Sequence, residues 1–280
     1  MSLINIVDTT LRDGEQAPGI VFGKEDKKHI AVLLDQVGVF EIEAGTPAMG
    51  SLECEVLAEI FALNLGTRVS AWNRANLRDI KASLDCGSRH LHISLPVSDI
   101  QIQYKLQKDR NWVLNKLKET IYYARAAGAS VTIGAEDASR ADFGFLVEYA
   151  CLARELGAER LRYADTVGVL DPFASFCKVQ KLISESGIEI EFHAHNDFSM
   201  AIANTLAGAK AGAQFASTTV LGLGERAGNC PLEMIVRVFD QFLPMSISVN
   251  QNALNNLVRY VTSVTAGIAS KVNSERICYI

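Results

Sequence analysis

Residues 188–212, IEIEFHAHNDFSMAIANTLAGAKAG, read as one strand, one polar loop and one helix. The run IEIEFHA (188–194) alternates with the period of a strand. Small and apolar residues then follow a helical pattern across Met200–Ala211, and Gly212 supplies a helix stop. Working outward, the same unit recurs seven more times. INIV (4–7) precedes a loop and a helical pattern from Lys24 to Gln36, and FEIEAG (40–45) precedes a helix from about Ser51 to Leu63. RVSAW (68–72) precedes RANLRDIKASLD, closed at Cys86–Gly87, and HLHISL (90–95) precedes a helix near Trp112–Ala127. SVTIGA (130–135) precedes Phe143–Leu156, closed by Gly157, and RLRYA (160–164) precedes a helix ending near Ser186–Gly187. FASTTV (215–220) precedes GLGERAGN and a helix from Leu232.

Eight β-loop-α units of about 30 residues each, with no long break in composition, predict a closed parallel sheet. The expected fold is α/β, a single (β/α)8 TIM barrel over residues 1–244. Pro244 interrupts the pattern, and 245–280 reads as a short C-terminal helical extension with one helix over 251–270. A doubly wound open sheet is the alternative.

Composition narrows the function. The 280 residues are 49% hydrophobic, enough for a large core, so disorder is excluded. Lys and Arg number 27 against 32 Asp and Glu, a formal charge of −5, and no basic stripe invites nucleic acid. Apolar stretches are broken before the ~20 residues a bilayer span needs, so no membrane partner is expected. MSLINIVDTTLRDGEQ lacks a basic region followed by an apolar one, and a cytoplasmic location is expected. Six cysteines without a CxxC pair read mostly as small buried hydrophobes.

In a parallel barrel the loops leaving the strands' C-terminal ends form the active-site face. The unusual polar residues fall there: Arg12, Asp13, Glu15 and Gln16 after the first strand; Glu43 ending the second; His92 in the fourth; Glu136 and Asp137 after the fifth; Asp165 and Thr166 after the sixth; His193, His195, Asn196 and Asp197 after the seventh; Glu225, Arg226 and Asn229 after the eighth. A spacing of two sends the His193 and His195 imidazoles to one side of the strand. Barrel closure sets the eighth strand beside the first, so Asp13 and Asn229 approach the two histidines. Two imidazoles, one carboxylate and an amide leave positions open for substrate, as at a catalytic metal. The donors admit Mg²⁺, Mn²⁺, Zn²⁺ or Fe²⁺. Arg12 beside them places a fixed positive charge where oxygen charge develops. Glu43 and Glu136 read either as ion-paired supports for Arg12 or as acid-base groups. No Walker A sequence and no GxGxxG after a strand are present, so nucleotide-phosphate readings fail.

The motifs DTTLRDGEQAPG, HISLPVSD, EDASRAD, DTVG, HAHNDFSMAIAN and GLGERAGNCPLE occur in order. Over about residues 3–240 the chain resembles the DRE-TIM metallolyases. Within them it resembles the Claisen-condensing branch of homocitrate, 2-isopropylmalate and citramalate synthases, and most of all the homocitrate synthases of nitrogen-fixation type. The resemblance implies an acyltransferase that condenses acetyl-CoA with a 2-oxo acid, 2-oxoglutarate to homocitrate first among the candidates. It implies a divalent ion (Mg²⁺, Mn²⁺ or Zn²⁺) on Asp13, His193 and His195 with Asn229 near or in the sphere. Arg12 would polarise the keto oxygen, Gln16 and Thr166 would contact substrate, and Glu43, His92 and Glu136 would be active-site groups. A homodimer is expected.

Departures from the pattern matter. Many lysine-pathway homocitrate synthases carry Arg and Ser where this chain has Thr132 and Gly134, which removes a clamp for a distal carboxylate. Gln101 stands where relatives often have His. Full-length synthases continue into subdomains whose His and Tyr serve acetyl-CoA deprotonation, so a base from another chain, or a substitute within this one, is expected. The alternatives are a lyase or aldolase of the same superfamily, and a metal- and oxo-acid-binding barrel subunit that needs a separate C-terminal partner. In the lyases a Cys precedes the Asn of the strand-eight loop; here Cys230 follows Asn229.

Overall fold

Eight short strands pair in parallel in chain order, and the eighth closes on the first. They are β1 (Asn5–Asp8), β2 (Glu41–Glu43), β3 (Arg68–Arg74), β4 (His90–Pro96), β5 (Ser130–Glu136), β6 (Arg160–Asp165), β7 (Glu189–Ala194) and β8 (Phe215–Thr218). This computed structural model describes residues 3–243 and 247–277. The helices are α1 (Lys24–Val37), α2 (Ser51–Ala62), α3 (Leu77–Asp85), α4 (Arg110–Ala126), α5 (Phe143–Glu155), α6 (Pro172–Ser186), α7 (Ala201–Lys210), α8 (Leu232–Phe242) and α9 (Gln251–Ile277). The (β/α)8 barrel expected from the repeated units is the fold that forms.

The strands alternate as a barrel requires. Leu91, Ile93, Val131, Ile133, Leu161, Ile190 and Phe192 belong to the buried hydrophobic core between sheet and helices. Phe192 packs against α7, where a side chain on Gly208 would strike its ring. The other parity faces inward, and there the barrel is charged. Arg160 on β6 donates to Glu191 on β7 at 2.8 Å and forms an ion pair with Glu41 on β2 at 2.9 Å. Arg162 bonds Glu191 and, at 2.8 Å, Glu43. All five side chains are buried.

Two expectations are corrected. Among the five described cysteines only Cys230 is buried; Cys54, Cys86 and Cys151 are half-buried and Cys177 is exposed, because helix surfaces, not strands, carry them. FEIEAG forms a strand only over Glu41–Glu43, and FASTTV ends as strand at Thr218, after which Val220 enters a short 3-10 turn. The boundary expected between 244 and 245 lies outside the described residues. The extension's helix α9 lies against α1: Tyr260 Oη donates to Asp26 Oδ1 at 2.7 Å, its ring meets His29 edge-on, and Leu254, Leu257 and Val261 are buried. No helix among the described residues is long and apolar enough to cross a membrane.

Asp8, at the end of β1, is buried; its Oδ1 accepts the Thr10 N–H at 3.0 Å, while Oδ2 has no hydrogen-bond partner among the described residues. Burial, helped by the charge of Glu233, pushes its carboxyl from 3.8 up to about 7. The folded chain therefore holds this proton more tightly than the unfolded chain. The stability it contributes is full below pH 3.8 and is lost as pH rises through about 7. Asp8→Asn is expected to melt about 5 °C above the parent at pH 8, the gap narrowing toward pH 4 in thermal scans.

Candidate metal centre and active site

His193 is the penultimate residue of β7, and His195 follows one residue beyond the strand, held by a bridge to Asn229 in the loop after β8. The two Nε2 atoms face each other at 3.2 Å, and His193 Nε2 lies 3.2 Å from Asp13 Oδ2. Donor atoms of these three buried residues all lie within 4.8 Å of one another. Two donors bound at about 2.1 Å to one tetrahedral or octahedral ion stand roughly 3.0–3.4 Å apart. The spacing therefore fits a single divalent cation.

Protonation agrees with that fit. Burial, reinforced by the neighbouring His193 and by Arg226 and Arg12, pulls His195 down to about 3 despite Asp13, so its imidazole is neutral. Burial alone would raise Asp13, but the neighbouring Arg12 guanidinium outweighs it and holds the carboxyl well below the usual range. His193 Nδ1 meets Ser217 Oγ at 2.8 Å; donating its N–H there leaves the Nε2 lone pair for a metal. Asn229 Nδ2 donates to Leu223 O at 2.9 Å, and its Oδ1 is buried without a partner among the described residues. Gly224 carries no side chain where one would collide with that amide.

Arg12 lies between two carboxylates, its Nε 2.5 Å from Glu43 Oε1 and its Nη1 3.5 Å from Asp13 Oδ2, with the guanidinium over the Trp72 ring. Glu43 also accepts His92 Nδ1 at 2.6 Å. Burial opposes its charge, but Arg12, Arg162 and His92 keep it ionised, well below the ordinary carboxylate range. Burial and then Arg162 lower His92 to about 4, so it is neutral, with its Nε2 buried and unpartnered among the described residues. Gly134 keeps the space beside that nitrogen open. Thr166 Oγ1 accepts the Asp137 N–H at 2.8 Å, which leaves its own hydrogen to donate.

Arg12, Asp13, Trp72, His92, Thr166, His193 and His195 line one cavity of about 270 Å³ at the C-terminal mouth, together with Gln16 and Glu136. Glu136 does not support Arg12: its Oε1 pairs with Lys105 Nζ at 2.6 Å across the mouth. Asp165, Asn196 and Asp197 serve the scaffold. Asp165 accepts the Val169 and Leu170 N–H groups, Asn196 caps α7, and Asp197 holds Arg226, which also donates to Thr166 O. Trp72, Lys105, Arg162 and Ser217 went unread in the sequence. Only Arg162 left a signal, a charge at an inward position of the strand run RLRYA.

Residues 3–261 match the HMGL-like family model. The chain belongs to the HMGL-like family. It is 47% identical over 258 residues to 2-isopropylmalate synthase 2 of Caldanaerobacter subterraneus subsp. tengcongensis, covering 92% of this chain and 67% of that one. It is 49% identical to homocitrate synthase subunit alpha of Clostridium pasteurianum, covering 85% and 88%, and 48% identical to homocitrate synthase 1 of Nostoc sp., covering 95% and 70%. A solved HMG-CoA lyase from Bacillus subtilis superposes with a TM-score of 0.82 over 95% of both chains at 18% identity, which is a likeness of fold. Cys230 gives the lyase reading no help. It is fully buried, and burial pushes its thiol up to about 12, the state of an inert core residue.

Ser217 Oγ can accept the Nδ1–H of His193 and so support the tautomer that presents Nε2 to a metal. Ser217→Ala is expected to weaken Mn²⁺ binding 10–100-fold, read by electron paramagnetic resonance, while the barrel stays folded by circular dichroism.

Proposed function

We propose that this chain condenses acetyl-CoA with a 2-oxo acid, 2-oxoglutarate first among the candidates, and releases coenzyme A. The observation that carries this reading is Arg12, aimed beside Asp13, His193 and His195 in a cavity sized for a small acid. The synthase names of relatives at 47–49% identity support it. A divalent ion held by Asp13, His193 and His195, with Asn229 Oδ1 at hand, would supply Lewis-acid polarisation of a keto oxygen.

The chain's own groups do the rest. The Thr166 hydroxyl donates to the acid's carboxylate, and Gln16 offers its amide at the mouth. As the acetyl methyl carbon loses a proton and bonds to the keto carbon, negative charge gathers on the keto oxygen. Arg12 meets that charge without moving, because Glu43 and Trp72 already hold its guanidinium. Water then cleaves the thioester C–S bond, and free thiol leaves. His92, neutral and tied to Glu43, acts as a hydrogen-bond acceptor; with its pKa near 4 it is a weak proton acceptor at neutral pH.

We infer that the methyl proton goes to a partner chain seated on the mouth. One relative is itself named as a subunit. Exposed apolar side chains stand on the segments after β1, β2, β4, β7 and β8 and at the start of α6: Val21, Met49, Tyr104, Phe198, Leu221 and Phe173.

The test is thiol release with 2-oxoglutarate, 2-oxoisovalerate or pyruvate and Mn²⁺, run on the chain alone and with the portion of Nostoc homocitrate synthase 1 outside the matched region. Release that depends on a 2-oxo acid supports condensation, and none in either mixture overturns it. Full turnover by the chain alone overturns the partner. Arg12→Lys is expected to keep fold and Mn²⁺ affinity but lose at least 100-fold in kcat, since an ammonium cannot reproduce the guanidinium fork.

A further inference from the structure

Lys27 is the one buried lysine among the described residues, and it lies outside the catalytic mouth. From the first turns of α1 its Nζ reaches Glu15 Oε2 at 2.7 Å and Glu53 Oε2 at 2.8 Å. Burial works against the ammonium, but the two carboxylates outweigh it and raise its pKa, so the charge persists. Each carboxylate spends its second oxygen on backbone. Glu15 Oε1 accepts the Phe22 N–H at 3.0 Å, and Glu53 Oε1 accepts the Thr46 N–H at 3.3 Å. One ammonium thus joins the loop after β1, which carries Arg12, Asp13 and Gln16, to the loop after β2, which follows Glu43.

The second loop is shaped to receive the clasp. At Gly45, where φ is +156°, a side chain would collide with Glu53 Oε1. Between the two loops, on the flank of Arg12 and Gln16, lies a cavity of about 120 Å³ also lined by Thr46 and Met49. Arg12 is therefore not backed by packing on this side. Its place depends on Glu43 and Trp72 in front and on the tether of its own loop behind.

We propose that Lys27 is a positioning residue: by clasping Glu15 to Glu53 it holds the loop of Arg12, Asp13 and Gln16 at the reach the mouth requires. The consequence for turnover rests on the synthase reading above; the consequence for loop order does not. Without the clasp the loop gains room to move into the cavity, and Arg12 loses its aim at the developing charge while substrate binding survives.

The experiment compares Lys27→Met, Lys27→Arg and Glu53→Gln with the parent at 25 °C. It follows exchange of the Phe22 and Thr46 amides, Mn²⁺ affinity, and kcat and KM for the 2-oxo acid. In Lys27→Met the two amides are expected to exchange at least tenfold faster with the remaining barrel amides unchanged. kcat is expected to fall at least tenfold with KM within threefold. Lys27→Arg, which can still bridge both carboxylates, is expected to recover most of kcat. Parent-like exchange and kcat in folded Lys27→Met overturns the clasp, as does exchange that rises throughout the barrel without rescue by arginine. Should Lys27→Met not fold, Glu53→Gln decides: faster Thr46 exchange with reduced kcat supports the clasp, and parent-like values overturn it. A parent that never releases thiol counts against the synthase reading alone, and amide exchange and Mn²⁺ affinity then judge the clasp.

Discussion

A ladder of alternating charges, buried up to its last member, runs through the barrel and ends at the catalytic mouth. It runs Glu41, Arg160, Glu191, Arg162, Glu43 and Arg12, drawn from β2, β6, β7 and the loop after β1. Many barrels fill this space with layers of branched apolar side chains. Here three guanidinium groups and three carboxylates neutralise one another, and each arginine bridges two carboxylates. Burying such ions is costly unless every partner is present, and deleting one member of a buried pair typically costs about 3–5 kcal/mol. The burial that would lift Glu191 is overcome by Arg162 and Arg160, which draw it down to about 2.

The ladder accounts for the state of the mouth. Glu43 is its last carboxylate and serves Arg162, His92 and Arg12 together, so the arginine's direction is set by the barrel interior as well as by its own loop. Arg162 in turn helps keep His92 neutral. His92, neutral and tied to Glu43, is thereby left as a hydrogen-bond acceptor. Around the rim, other polar ties hold the loops in pairs: Arg226 joins the loops after β6, β7 and β8, and Lys27 joins those after β1 and β2. The charge that faces substrate is preorganised by the groups packed behind it and by the ties around the rim.

The family resemblance and the physical reading meet at the same residues for separate reasons. The motifs named Asp13, His193 and His195 by their order. Their fitness for a cation comes from 3.2 Å spacings, a neutral His195, an ionised Asp13 and the Ser217 hydroxyl that turns His193. Cys230, one residue beyond Asn229, is close in sequence to this centre yet inert, because its side chain turns into the core.

The barrel was legible in the sequence because strand and helix patterns are local: eight alternating runs, each followed by a helix of the length one crossover needs. The histidine pair of the candidate metal centre was legible because a spacing of two in extended chain sends both side chains to one side. Runs such as EIE, RLR and EIEF also carried inward charges in plain view. Which charge meets which was decided by closure, since Arg162 and Glu43 stand 119 positions apart and touch only when β2 and β6 face each other across the barrel. The same holds for Glu136, which the sequence allowed beside Arg12 and the fold gives to Lys105, and for Lys27, an unremarked helix lysine until two loops converge on it. Local periodicity determines the elements and their order; long-range electrostatics acts through distances that exist only once the sheet has closed.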